Sequence, residues 1–321
     1  MMPKNSMLLL LLASVVSSTV LADEVFVSLE KADAFAVLDG SSGKLLQTFE
    51  IGKRPRDIVF SHDNKQLYVA VVEENTIKQI DSTSMTVEAA FHCANPKSIA
   101  ISPNDRFLYC SNDATNQLTV IDIAQNKEIN RIPIAKESEG LTVSPDGRWV
   151  INTSESENIA QWIDSTTLQI IDSTTVLARP RASQFTADGK QLWVTSENAA
   201  KLTVIDTASR RPLKILSFEI AGVDAVTIKP VGIRIDQNQR FAYVALGRAN
   251  RVAVIDVQKL EVIEYIPVGQ RVWHLAFSPD QKRLYTANGV SGDVSIIDLE
   301  RHKVSKSVSV GQFPLSIASK P

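Results

Sequence analysis

The chain alternates short apolar runs with polar breaks, at a spacing too tight for helices. One stretch reads Ile58-Val59-Phe60, then Ser61-His62-Asp63-Asn64, then Leu67-Tyr68-Val69-Ala70, then Asn75, then Ile77 to Ile80. Each apolar run is strand length and rich in β-branched and aromatic residues. None sustains a helical apolar period, so the pattern predicts strands with almost no helix. The breaks are turn formers: Ser102-Pro103-Asn104-Asp105, Ser144-Pro145-Asp146-Gly147 and Ser278-Pro279-Asp280 place proline where a type I turn wants its fixed φ.

The same order recurs along the chain. An apolar residue followed by aspartate appears at Leu38-Asp39, Ile80-Asp81, Ile121-Asp122, Ile163-Asp164, Ile205-Asp206, Ile255-Asp256 and Ile297-Asp298. The aspartates are 42, 41, 42, 42, 50 and 42 residues apart, a period that suits four short antiparallel strands with their turns. One period is one blade. Glu24 to Ile51 supplies only the last three strands of a blade, while Gly311-Gln312-Phe313-Pro314-Leu315-Ser316-Ile317 repeats Gly52-Lys53-Arg54-Pro55-Arg56-Asp57-Ile58. The C-terminus should therefore provide the innermost strand of the first blade. The expected fold is all-β: a single seven-bladed β-propeller domain over residues 23–321, closed by pairing of N- and C-terminal strands in one blade, which removes an exposed edge.

Residues 1–22 read as a secretory signal peptide: one basic residue, Lys4, then the apolar run Leu8 to Val16, then small residues ending in Val20-Leu21-Ala22. Cleavage after Ala22 predicts an exported protein, placed in the periplasm. No later segment is long and apolar enough to cross a membrane, so no membrane insertion is expected. Losing Lys4 takes the formal net charge from -2 to -3. A mildly acidic chain lacks the basic footprint of a nucleic-acid binder. The two cysteines exclude a disulfide-built scaffold, although an exported chain permits one bridge. Cys110 lies in a strand-like run and Cys93 in a crossover before Pro96, so one buried thiol and one loop thiol are expected rather than a bridge.

The runs Leu67-Tyr68-Val69-Ala70, Leu108-Tyr109-Cys110-Ser111-Asn112, Leu192-Trp193-Val194-Thr195 and Leu284-Tyr285-Thr286-Ala287-Asn288, with the Gly-x-x-Pro and Val-Ile-Asp elements, resemble the YVTN-type propeller repeat. More narrowly, the leader, the seven copies and the wording of the repeats resemble a family of periplasmic propellers associated with pyrroloquinoline-quinone-dependent alcohol catabolism. That family is typically encoded beside an ABC transporter. The resemblance implies a non-catalytic binding or accessory role, contact with pyrroloquinoline quinone, and as partner a periplasmic quinoprotein dehydrogenase or an ABC transporter component. It fixes the fold more firmly than the function, because this repeat serves unrelated activities.

Alignment of the copies puts Pro55, Pro96, Ser138, Pro180, Pro230, Val272 and Pro314 at one position near the channel mouth. The next two positions vary freely, which singles out Arg56, Asp57, Glu139, Arg181, Trp273 and His274 as candidate ligand-binding residues, with Arg54, Arg179 and Arg271 nearby. Guanidinium forks suit an anionic ligand such as a carboxylate or quinone-type acid; the plain alternative is solvated loop charge. His274 could contact ligand, act as a general base or bind metal, although a lone His starting an innermost strand is more often structural. The repeated aspartates read as turn formers, not catalysts.

No Cys-x-x-Cys-His, His-Glu-x-x-His, phosphate-binding Gly-rich loop or Gly-x-Ser-x-Gly occurs, so no catalytic or metal-ligating set is assigned. Two rival functions remain: a lactonase-like hydrolase working at the channel mouth, and a tetrapyrrole-binding propeller with His274 as axial ligand. The long fifth interval implies an insertion, Phe218 to Val226, expected on the mouth face, either with exposed apolar residues suited to a lid or partner contact or as a plain extension of a hairpin.

Overall fold

The computed structural model describes residues 23–321, so the expected signal peptide lies outside the described residues. The strands form seven four-stranded antiparallel sheets. Six blades take their strands consecutively from the chain, innermost first. The first blade is composite: Pro314–Lys320, Glu24–Leu29, Ala34–Asp39 and Leu45–Glu50 lie in that order, with Glu24 opposite Lys320 and Val27 opposite Ile317. Lys320 extends the closure, since its ammonium donates to the Ser82 carbonyl at 2.6 Å and pairs with Glu24 at 3.2 Å.

Local chemistry makes the hairpins. In the turn into each outermost strand, aspartate accepts backbone N–H bonds that would otherwise be free: Asp81 from Thr83 and Ser84 at 3.1 and 2.7 Å, Asp164 from Thr166 and Thr167 at 2.9 and 2.8 Å. These bonds hold both carboxyls below their usual range. The repeated aspartates are thus turn formers, as the sequence predicts. At the same end of the blades, the hydroxyls of Ser61 and Ser278 donate to Asp63 and Asp280 at 2.7 and 2.6 Å and fix the turns between first and second strands.

The core lies between blades. Trp193 of the fifth blade packs with Ile233 and Val244 of the sixth, and Tyr285 of the seventh with Val25 and Ala36 of the first. The innermost strands are irregular where the blades converge. Their pairing slips between Pro55 and Ile58, Pro96 and Ile99, Pro180 and Ser183, and Val272 and Leu275. The slip frees backbone groups, and neighbouring blades take them up. Ile99 N–H donates to Asp57 at 3.0 Å, and the hydroxyls of Ser28, Thr153 and Thr195 donate to the carbonyls of Arg56, Arg181 and Val231 at 2.6, 2.9 and 2.7 Å. Serine and threonine at that point of the repeat therefore stitch one blade to the next. Glycine is needed where blades touch: a Cβ on Gly140 would clash with the Arg181 carbonyl oxygen, and one on Gly232 would sit 2.6 Å from that of Trp273.

Two expectations are corrected. Cys93 and Cys110 form a disulfide, with Cα atoms 6.6 Å apart. The crossover after Val87–His92 turns inward, so Cys93 is buried against the second strand of the third blade, Phe107–Asn112, instead of lying in an open loop. A bridge across this separation of 17 residues stabilises by about 3 kcal/mol through the unfolded chain. The insertion is not an apolar lid either. Phe218 is buried, Ile220 and Val223 pack on the core between the fifth and sixth blades, and of the insertion's large apolar residues Val226 alone protrudes, 68% exposed. The insertion is wedged in place because its apolar residues find an inter-blade groove to fill.

Candidate functional site

The position after Pro55, Pro96, Ser138, Pro180, Pro230, Val272 and Pro314 contributes one side chain per blade to the ring axis: Arg56, Lys97, Glu139, Arg181, Val231, Trp273 and Leu315. They form a partition with two unlike halves. In the charged half, Glu139 is the hub, 8% exposed, with Lys97 at 2.8 Å, Arg56 at 3.4 Å and Arg181 at 3.5 Å. Arg181 also pairs with Glu155 and, at 3.6 Å, with Glu197; Arg179 meets both of these carboxylates at 3.0 and 3.3 Å, and Lys97 meets Asp113 at 3.0 Å. Four cations and four carboxylates close this network, so it is neutral in itself. Burial would push the Glu139 pKa up, but Arg181, Arg56 and Lys97 outweigh it and hold it at about 2.

The other half is apolar. Val231 and Leu315 are buried, and the Trp273 ring lies between Arg271 at 4.4 Å and Arg181 at 5.6 Å. Above the partition, on the crossover face, is a mouth cavity of about 420 Å³ edged by Arg248, Arg271 and Lys229. Below it runs the central channel, about 730 Å³, whose wall includes Asp57, His274, Ser183 and Arg234 and which reaches the turn-face residues Pro145 and Ala187. Arg56, Glu139 and Arg181 border both chambers.

All six candidate residues thus converge on the axis, but in different settings. Asp57 is engaged by the fold: besides Ile99 N–H, it accepts from the hydroxyls of Ser98 and Ser316, both at 3.0 Å. Arg56 and Arg181 each pair with Glu139 through a terminal guanidinium nitrogen. His274 faces the channel below, where burial lowers its pKa to about 4; Asp57 opposes that shift, while Arg234, Arg181 and Arg56 reinforce it. Its imidazole is neutral at ordinary pH and can offer one donor and one acceptor.

Sequence reasoning missed Arg234. It sits on the short innermost strand Ile233–Ile235, at the place held in other blades by Val59, Ala100, Thr142, Gln184, Ala276 and Ala318. That series is the signal, because an arginine stands alone among neutral residues at an axis-facing position. Among the described residues its guanidinium makes no ion pair and donates to the Ile233 carbonyl at 2.8 Å. Burial lowers its pKa, with Asp57 as the opposing charge. Two more donors on channel-lining residues, Arg56 Nε and the Ser183 hydroxyl, are buried without partners among the described residues. Unmet buried donors in an enclosed space suit an acceptor-rich, anionic guest. Among the described residues, no three or more His, Cys, Asp or Glu side chains are grouped to hold a metal ion.

Residues 47–169 match the family described as "Lactonase, 7-bladed beta-propeller", and residues 142–227 match "YNCE-like beta-propeller". No curated protein matches the chain in sequence. Of the solved structures, a functionally unknown protein from Desulfotomaculum acetoxidans DSM 771 superposes with a TM-score of 0.81 at 16% identity, covering 92% of this chain and 98% of that one. Dihydro-heme d1 dehydrogenase NirN in complex with DHE gives 0.69 at 16% identity, covering 92% and 74%. Kuenenia stuttgartiensis hydrazine synthase gives 0.56 at 18% identity, covering 76% and 95%. At such identities the likeness is one of fold. The composite first blade, the seven sheets and these matches agree that the chain is a seven-bladed β-propeller.

Proposed function

We propose that this chain is an exported, periplasmic binding propeller with a non-catalytic accessory role, and that its central channel holds an anionic ligand. The observation behind this reading is Arg234, enclosed at the wall of a cavity of about 730 Å³ and without a carboxylate partner among the described residues. That volume is of the size that takes a drug-sized molecule. Pyrroloquinoline quinone, a flat polycarboxylate, fits the donors present: Arg234, His274, Ser183 and Arg56 Nε would meet its carboxylates, and Ile58, Ile99 and Leu141 would flank its rings. The partner in this reading is a quinoprotein dehydrogenase or an ABC transporter component of pyrroloquinoline-quinone-linked alcohol oxidation.

Calorimetric titration with pyrroloquinoline quinone and small aromatic acids tests the reading. Binding should weaken by about 1.5–3 kcal/mol in Arg234→Ala, the worth of one charge-assisted contact. Equal affinity in both proteins rules out the channel as the anion site, and absence of binding to wild type rules out the ligand class.

A second reading is supported by likeness to NirN, a structure solved in complex with DHE. In it the channel takes a tetrapyrrole, with His274 as axial ligand. A visible absorption band in the purified protein that shifts in His274→Ala favours this over the first. The lactonase reading has a family match over residues 47–169 but no grouped metal ligands among the described residues to support a metal-assisted hydrolysis.

A further inference from the structure

The two chambers on the axis differ in what bounds them. The mouth cavity ends on side chains already committed to one another: Glu139 at 8% exposure, Arg181 at 11% and Arg56 at 15%. These contacts reach across blades. Glu139 of the fourth blade meets Arg56 of the second, bridging over the third, and Arg181 of the fifth lies against Trp273 of the seventh, bridging over the sixth. Spans of this kind fill the axis. Opening it would separate buried charges from their partners, a strongly unfavourable step. The channel has no such floor: its wall runs down to Pro145 and Ala187, which are exposed residues of the turns between first and second strands.

The geometry points to access from the turn face. We infer that small molecules reach the channel past the hairpin turns of the third to fifth blades, and that the layer centred on Glu139 seals the channel from the crossover face. The inference deepens the binding reading above, on which its functional meaning rests, yet its geometry can be tested with no ligand at all. It also explains why the position after the crossover proline varies from blade to blade. One charged half and one apolar half, complementary to each other, form a plug that seven identical side chains could not.

The test places a single reactive thiol below the partition. Ser183→Cys lines the channel, and the native cysteines are bonded to each other. Its modification by sulfonatoethyl methanethiosulfonate is timed in three full-length backgrounds. Pro145→Trp with Ala187→Trp, both at exposed turn-face positions, should slow modification roughly tenfold by narrowing the approach. Asn198→Trp, exposed at the mouth cavity, should leave the rate within about twofold. Slowing by Asn198→Trp alone overturns the inference, and so do equal rates in all backgrounds or a folded Ser183→Cys that does not react. Should Ser183→Cys fail to fold, Thr142→Cys on the same wall takes its place. If the thiol data hold while pyrroloquinoline quinone and aromatic acids do not bind, access stands and the binding reading falls.

Discussion

Arg181 and Arg234 project toward one axis from neighbouring blades, and both are enclosed by protein, but their partners differ completely. Arg181 is shared by three carboxylates, with Glu139 at 3.5 Å and Glu197 at 3.6 Å beside Glu155. Arg234 makes no ion pair among the described residues and donates to its own strand's carbonyl. The first arrangement recovers the desolvation of a buried cation within the fold. The second leaves a half-buried cation at the channel wall with only the nearby Asp57 charge to offset its desolvation, which folding alone rewards little. A cation paired inside the protein marks structure; one left facing a cavity marks a place where something else completes the pairing. By this criterion the sequence-predicted rim residues Arg56 and Arg181 belong mainly to the partition, and the binding character lies one layer deeper.

The most severe way to break both regions is to remove Gly311–Pro321. The deletion takes Leu315 from the partition, Ser316 from Asp57, and the whole innermost strand from the first blade. An exposed edge and an open ring should follow, so loss of cooperative melting, or aggregation, is expected in a thermal scan. A truncated protein that melts within about 2 °C of the full chain would contradict the closure argument, because even 1 kcal/mol shifts melting by roughly 2–4 °C at this size.

Next in size is Glu139→Gln. It leaves Arg56, Lys97 and Arg181 without their shared anion, and breaking a buried pair costs about 3–5 kcal/mol. Arg234→Met removes a half-buried cation that has no ion pair to lose among the described residues, so urea denaturation should show little change or a gain. The reverse order would undo the contrast between the two arginines. The pH profile sharpens it. Glu139 has a folded pKa of about 2 against an ordinary 4.5, so its contribution is full above 4.5 and is lost as pH falls toward 2. The amount is about 3 kcal/mol at 1.36 kcal/mol per unit. Stability of wild type and Glu139→Gln should therefore converge over that acid range.

The fold was legible in the sequence because it is repeated: seven aspartates in turns and a C-terminal copy of the Gly-x-x-Pro element each follow from local chemistry. The site was legible only in part. Variation after the crossover proline located the axis, since all six candidates converge there, but it could not separate side chains that satisfy each other from those that do not. That depends on which blades face across the ring, as with Glu139 and Arg56, which lie 83 residues apart. Arg234 escaped because it lies inside a strand run, where an isolated charge looks like the solvent face. The disulfide escaped for a similar reason: the inward turn of the crossover at Cys93 is set by packing between blades.

A smaller effect separates His274 from the partition beside it. Its folded pKa of about 4 lies below the ordinary 6.5, so between these values the unfolded chain takes up the proton first and stability declines as pH falls. Facing it are Asp57 and Arg56 of the second blade, Arg181 of the fifth and Arg234 of the sixth, three cations against one anion. His274→Gln should flatten the profile between pH 6.5 and 4 without moving the Glu139 transition further down. An anion bound at Arg234 should raise the His274 pKa, visible as proton uptake when calorimetry is repeated in buffers of different ionisation enthalpy.

The smallest effect is expected at Asp164, which belongs to neither region and calibrates both. Its carboxylate lies in an exposed turn and accepts from Thr166 and Thr167. Asparagine keeps an acceptor at the same reach but loses the charge that strengthens these bonds, so Asp164→Asn should cost on the order of 1 kcal/mol. The turn lies at the outer part of the fourth blade, far in the sheet order from the innermost strand Ser138–Val143 that carries Glu139. Ligand affinity and thiol access should stay at wild-type values, since additivity holds for sites with no shared partners. If Asp164→Asn instead abolished binding while leaving the melting temperature unchanged, the repeated aspartates would have to be counted as part of a site. The division into turn formers, a self-satisfied partition and an unsatisfied channel would then have to be redrawn.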